Sequence, residues 1–135
     1  MSPEAGTWLA ALGNEWVRFR EAVNYYSLPE ILGGYDIGVI LYNGHIPNYI
    51  YNAPNKLFEY LDCGLDVWFP GVMKGIYPYL TKGTYPKVLP LDPGDLSEWD
   101  LATAIDRDGL QYAPPAYYAE NVFPELLSKI RESGV

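Results

Sequence analysis

The chain has 135 residues, 49% of them hydrophobic, which sizes it for a single domain over 1–135 with a core that needs no staples. Its formal charge of −8 and pI near 4.4 exclude nucleic acid as the main partner, because phosphate neutralisation needs clustered Lys and Arg. The lone cysteine, Cys63, excludes a disulfide framework and a multi-cysteine zinc site.

No apolar run is long enough for a membrane helix, and the opening MSPEAGTWLAALG lacks the basic start and longer apolar stretch of a signal peptide. A cytoplasmic protein with no transmembrane segment is therefore expected. The 13 Tyr, 4 Trp and 4 Phe are expected mostly in a core and a subunit interface, with a few able to stack on a base or sugar.

Short apolar runs alternate with helix-like stretches, which predicts βαβ units and a parallel sheet. Trp16 to Arg20 is the first strand expected, with Trp16, Arg18 and Arg20 on one face. Ser27 and Glu30 then form a capping box for a short helix that Gly33-Gly34 stops. Tyr35 to Tyr42 is apolar on both faces, as a central parallel strand would be.

A loop from Asn43 to Ala53 follows. Pro54 suits a first helical position, Leu57, Phe58 and Leu61 share one helical face, and Gly64 sits where a C-cap glycine belongs. Leu65 to Phe69 and Lys87 to Leu91 are the next strands, with a short helix between them over Gly71 to Leu80. A helix is expected over Asp95 to Ile105, capped by Asp92 or Asp95 and anchored by Leu96, Trp99, Leu101 and Ile105. Past Pro114-Pro115, a last amphipathic helix over about Asn121 to Glu132 would turn Val122, Leu126, Leu127 and Ile130 inward. The expected fold is α/β and Rossmann-like, three layers with a small parallel sheet of about four strands flanked by helices.

The chemistry concentrates in Ala53-Pro54-Asn55-Lys56-Leu57-Phe58-Glu59. Here a loop at the carboxyl end of a buried strand turns into a helix N-terminus, the edge of an open α/β sheet where ligands bind. Unpaired backbone N–H groups and a positive dipole end suit a diphosphate. Lys56 adds positive charge in the first turn, and Glu59, one turn on, can accept two hydroxyl donors from a diol.

Asn55-Lys56-Leu57-Phe58-Glu59-Tyr60-Leu61, followed by Cys63-Gly64-Leu65, resembles the "NK-x-FEYLA-x-GLPV" stretch of retaining-type GT-B glycosyltransferases. Upstream, Leu28-Pro29-Glu30-Ile31-Leu32 and Gly34-Tyr35-Asp36-Ile37-Gly38-Val39 are similar to that family's "LPELLAGYDVGL". The resemblance, from about Trp16 to Ile105, implies a partial C-terminal GT-B domain binding a UDP- or GDP-sugar donor, with no other cofactor. It implies Glu59 on the donor ribose and the backbone around Pro54, Asn55 and Lys56 on the diphosphate. Tyr51 stands where many members place a second glutamate, toward the sugar, and a hydroxyl cannot supply that negative charge.

Asp62 and Asp66 also depart from the family pattern, as carboxylates expected near a donor phosphate. The resemblance leaves the acceptor-binding half and the opening of the donor half without counterparts. It implies a separate N-terminal GT-B domain as partner, no turnover unaided and no catalytic residue assignable; a lone His leaves a metal without its usual ligands, though Asp and Glu could hold a magnesium through the phosphates.

Other residues carry less. His45, after the central strand, could be an acid, a base or a phosphate contact, or a plain surface residue. Cys63 is expected to pack. Asp92, Asp95, Glu98, Asp100, Asp106 and Asp108 are read as a solvated face and turn. The alternative to a donor-binding half is a non-catalytic interaction domain that keeps the fold. An uncovered sheet edge and apolar surface further predict self-association as a homo-oligomer.

Overall fold

The structure, a computed structural model, describes residues 6–8, 11, 13, 15–97 and 99–133. The opening run considered for a signal peptide and Glu98 of the acidic stretch fall partly or wholly outside the described residues. The chain divides into two compact units, Met1–Ile31 and Leu32–Val135. Among the described residues no helix is long and apolar enough to cross a membrane.

In the first unit, residues 6–8 are helical, and the Phe19 ring lies against Gly6, where a Cβ would come within 2.9 Å of it. Trp16 to Arg20 is not the strand expected: it is exposed, non-repetitive chain. A two-sided residue pattern does not by itself make a strand. A 3-10 turn at Tyr25–Ser27 leads into helix α1 (Leu28–Leu32). The cap is Asn24, whose side chain accepts from the Tyr26 N–H at 2.9 Å, and not Ser27, which the turn absorbs.

The second unit is mixed α/β, with small parallel sheets and flanking helices. Three parallel strands, β1 (Ile37–Val39), β2 (Asp66–Pro70) and β4 (Val88–Leu91), lie in the order β1-β2-β4. A separate parallel pair joins β3 (Thr84–Tyr85) to β5 (Gln111–Tyr112). The sheet of about four strands is thus corrected to one of three and one of two. The strand expected at the centre is an edge strand of three residues, with Val39 and Leu41 exposed. The centre belongs to β2, with Val67 and Phe69 buried on one face and Asp66 and Pro70 on the other.

Between β1 and β2 run two helices, α2 (Pro47–Tyr51) and α3 (Asn55–Asp62). The stretch read as loop from Asn43 to Ala53 therefore contains a helix, which Pro47 starts at its first position. In α3, Leu57 and Leu61 are buried against Ile40, Val67, Phe69, Met73, Ile76 and Val88. Cys63 caps the helix and Gly64 follows at φ +77°, the left-handed conformation that costs glycine least. The depth of α3 is set by Gly38, since a Cβ there would overlap the Tyr60 ring.

After β2 comes a 3-10 segment, Lys74–Tyr79, not an α-helix, with Pro78 inside it. The helix expected over Asp95 to Ile105 shortens to α4 (Leu101–Ile105). Its cap is Asp100, which accepts from the Thr103 N–H at 3.1 Å, instead of Asp92 or Asp95. Those two acids are spent on earlier turns, Asp92 on the Gly94 N–H and Asp95 on Ser97, so the chain enters the helix later. Leu96, Leu101 and Ile105 are exposed; Ala104 is the buried anchor of α4. The last helix, α5 (Ala119–Glu132), forms as expected, but Val122, Leu126, Leu127 and Ile130 are exposed and not turned inward. Amphipathic winding fixes which residues share a face; it does not supply the surface that covers them.

Candidate functional site

As the crossover between two parallel strands, α3 runs back across the sheet. Its first turn therefore lies at the carboxyl ends of the strands and its last at their amino ends. Pro54 is buried at the N-cap position and offers no side-chain cap, so the Asn55 and Lys56 N–H groups at the helix start gain no side-chain acceptor. Asn55 and Lys56 are exposed.

The Lys56 ammonium stands 5.8 Å from the centroid of the Tyr42 ring, which packs on Tyr49 at 5.0 Å. Glu59 is half-buried, and its carboxylate has no hydrogen bond or ion pair among the described residues. Asn55, Lys56 and Glu59 thus share the first turns of one helix. Tyr51 is on the preceding helix, exposed at the end of α2. The loop joining α2 to α3 is seated on the 3-10 segment: a Cβ at Gly75 would overlap the Tyr51 and Asn52 backbone.

At the same edge, beyond the ends of β2 and β4, lies a cleft of about 640 Å³ floored by Pro70, Gly71, Pro90 and Leu91 and walled by Asp92 and Trp99. Val72, also on its wall, meets the loop after β1, where a Cβ at Gly44 would reach its side chain. The Trp99 ring meets Trp68 edge-on at 5.5 Å, and both indole N–H groups are buried without a hydrogen-bond partner. The sequence reading did not find this cleft. Its signal was the pair Pro70-Gly71 and Pro93-Gly94, each ending or closely following a strand run.

The opposite, amino edge is closed by charge. Asp66, at the start of β2 and buried, accepts from the Lys87 backbone N–H at 2.6 Å and from Arg107 Nε at 3.1 Å. Arg107 also donates to the Asp36 carbonyl at 3.0 Å and lies over the Tyr85 ring. The buried Lys87 ammonium donates to the Ala104 carbonyl, to that of Asp106 at 2.7 Å and to that of Thr103 at 3.4 Å. It thereby satisfies orphan carbonyls at the end of α4. Asp66 is accordingly no carboxylate beside a phosphate site; it is a structural anion at the far end of the sheet.

The same correction applies to Asp62. It ends α3, at the amino edge, and accepts from the Tyr118 hydroxyl at 2.7 Å. That hydrogen bond to a carboxylate, with some burial and the Asp62 charge, pushes the Tyr118 phenol up to about 12. Burial first, then Asp62 and Glu59, pushes the Cys63 thiol up as well, which keeps it protonated and unreactive.

His45 is an exposed turn residue whose backbone N–H donates to the Asn43 carbonyl at 2.8 Å. In the acidic stretch, Asp95 and Asp100 are held below the usual carboxylate range by hydrogen bonds from Ser97 and Thr103. Asp106 accepts from the Asp108 N–H at 2.8 Å. These carboxylates are local turn and cap acceptors.

Comparison with known proteins gives no relative: no family model matches the chain, and neither a curated protein nor a solved structure matches it.

Proposed function

We propose that this chain is the nucleotide-sugar-binding half of a GT-B type glycosyltransferase, Rossmann-like in fold, that holds a UDP- or GDP-sugar. The supporting observation is the first turns of α3 at the carboxyl edge: backbone N–H groups without a side-chain cap, exposed Lys56, and the unpaired carboxylate of Glu59 one turn on. Such a turn can take a diphosphate on its N–H groups and Lys56, while Glu59 accepts the two hydroxyls of a ribose.

The neighbouring cleft supplies an aromatic wall in Trp99 and acceptors in Asp92, features that suit a sugar ring. The reading is of binding, with no catalytic residue assigned. An acceptor-binding GT-B domain, in this protein or another chain, would supply the second wall. The second reading, an interaction domain that keeps the fold without the chemistry, is favoured by the uncovered apolar stripe of α5.

A ligand-observed NMR titration with UDP, GDP and their hexose conjugates tests the first reading. Saturable binding that disappears in Glu59→Ala is the expected result. Binding of none of these nucleotides, or binding indifferent to Glu59, overturns it.

A further inference from the structure

Every one of the 14 residues of α5 is exposed. Val122, Leu126 and Ile130 recur at four-residue steps, flanked by Phe123 and Leu127, and make one apolar stripe along the helix. A helix of this length is marginal alone in water, so its persistence calls for burial of that stripe. Tyr118, at the N-cap position, anchors only the start of α5, through its hydroxyl on Asp62.

We propose that α5 packs against the α5 of a second copy of this chain, antiparallel across a two-fold axis near Leu126. The charges choose this occupant. Winding at about 3.6 residues per turn puts Glu120 and Arg131 on one flank of the stripe, and Glu125 and Lys129 on the other. In an antiparallel pair the same flank of each helix meets its counterpart, so Glu120 of one copy faces Arg131 of the other, twice over.

The second flank is complementary in the same way, and its acid and base are already spaced to pair, as the Glu125–Lys129 contact of 2.7 Å shows. On the stripe, Leu126 packs on its own counterpart and Val122 approaches Ile130. Pro124 winds to the back of the helix, clear of the contact. A parallel pair would instead set the Glu120–Arg131 flank of one copy against the Glu125–Lys129 flank of the other and lose these matched pairings. An anionic lipid surface is a poor occupant, because the helix carries Glu120, Glu125 and Glu132 against Lys129 and Arg131, in a chain of charge −8. A helix about 21 Å long gives an interface at the small, transient end, below about 1,200 Å².

Sedimentation of the full chain across the micromolar range should show a concentration-dependent dimer. Leu126→Glu should leave a monomer with an unchanged sheet signature in circular dichroism. Glu120→Arg and Arg131→Glu, each making two like-charge contacts, should each weaken dimerisation about tenfold, and the double reversal should restore it. In a Cys63→Ser background, Leu126→Cys should cross-link the dimer on oxidation. A monomer at every concentration, a dimer indifferent to Leu126→Glu, or single reversals that the double does not rescue would each overturn the proposal.

Discussion

The two ends of the three-stranded sheet treat charge in opposite ways. At the amino end, Asp66, Lys87 and Arg107 are drawn into one network in which each charged group finds a partner. At the carboxyl end, among the described residues, Lys56 meets an aromatic face and Glu59 has no partner. A buried charge that is fully met holds the fold together, whereas groups left uncommitted at an open edge hold nothing and are available. Charge type alone does not separate these roles. Which end of the sheet a charge occupies does.

The largest effect that would test this contrast is at Asp66. Asp66→Ala strips Arg107 and the Lys87 N–H of their acceptor inside the protein and should cost about 3 kcal/mol, read as a lower denaturant midpoint. An unchanged midpoint would mean the amino edge is as dispensable as the other. Next comes Gly38→Ala, which forces a methyl into the Tyr60 ring and should cost about 1–3 kcal/mol by lifting α3 off the sheet.

At the carboxyl edge the expectation reverses. Glu59→Ala should move stability by no more than about 0.5 kcal/mol while abolishing nucleotide binding. A stability loss comparable to that of Asp66→Ala would erase the distinction between the ends. The smallest effect is at the tether of α5. The Tyr118 phenol is raised above its ordinary value of 10, so its contribution is complete below pH 10 and is lost as pH rises through about 12. Phenolate absorbance should show one tyrosine titrating late, and Asp62→Asn should return it toward the ordinary value.

Much of the sheet and of α3 was legible because the signals there are local. Buried apolar runs marked β2 and β4 within a residue, and Leu57, Leu61 and Gly64 fixed the face and end of α3. The lateral order of strands was not legible: nothing in Tyr35 to Tyr42 says whether a neighbour lies on one side or both, so an edge strand looked central. Asp66 looked like damage to a site because its partner, Arg107, lies 41 positions away in sequence. Asp92, Asp95 and Asp100 are chemically equivalent as caps, and only the path of the chain selects Asp100. At the candidate site, the first turn of α3 was readable from Pro54 to Glu59, but the Trp99 cleft was not, since its walls come from turns after two different strands.

Gly75 has a consequence for how fast anything could be captured at the carboxyl edge. Because it carries no side chain, the Tyr51–Asn52 backbone rests directly on the chain beneath, and the turn into α3 is set when the protein folds. An incoming molecule would then spend little ordering entropy on that turn at encounter. Association there should be governed by diffusion and desolvation, with no slow ordering of this loop in its rate. A larger residue at position 75 would convert capture into a slower event that waits on the loop.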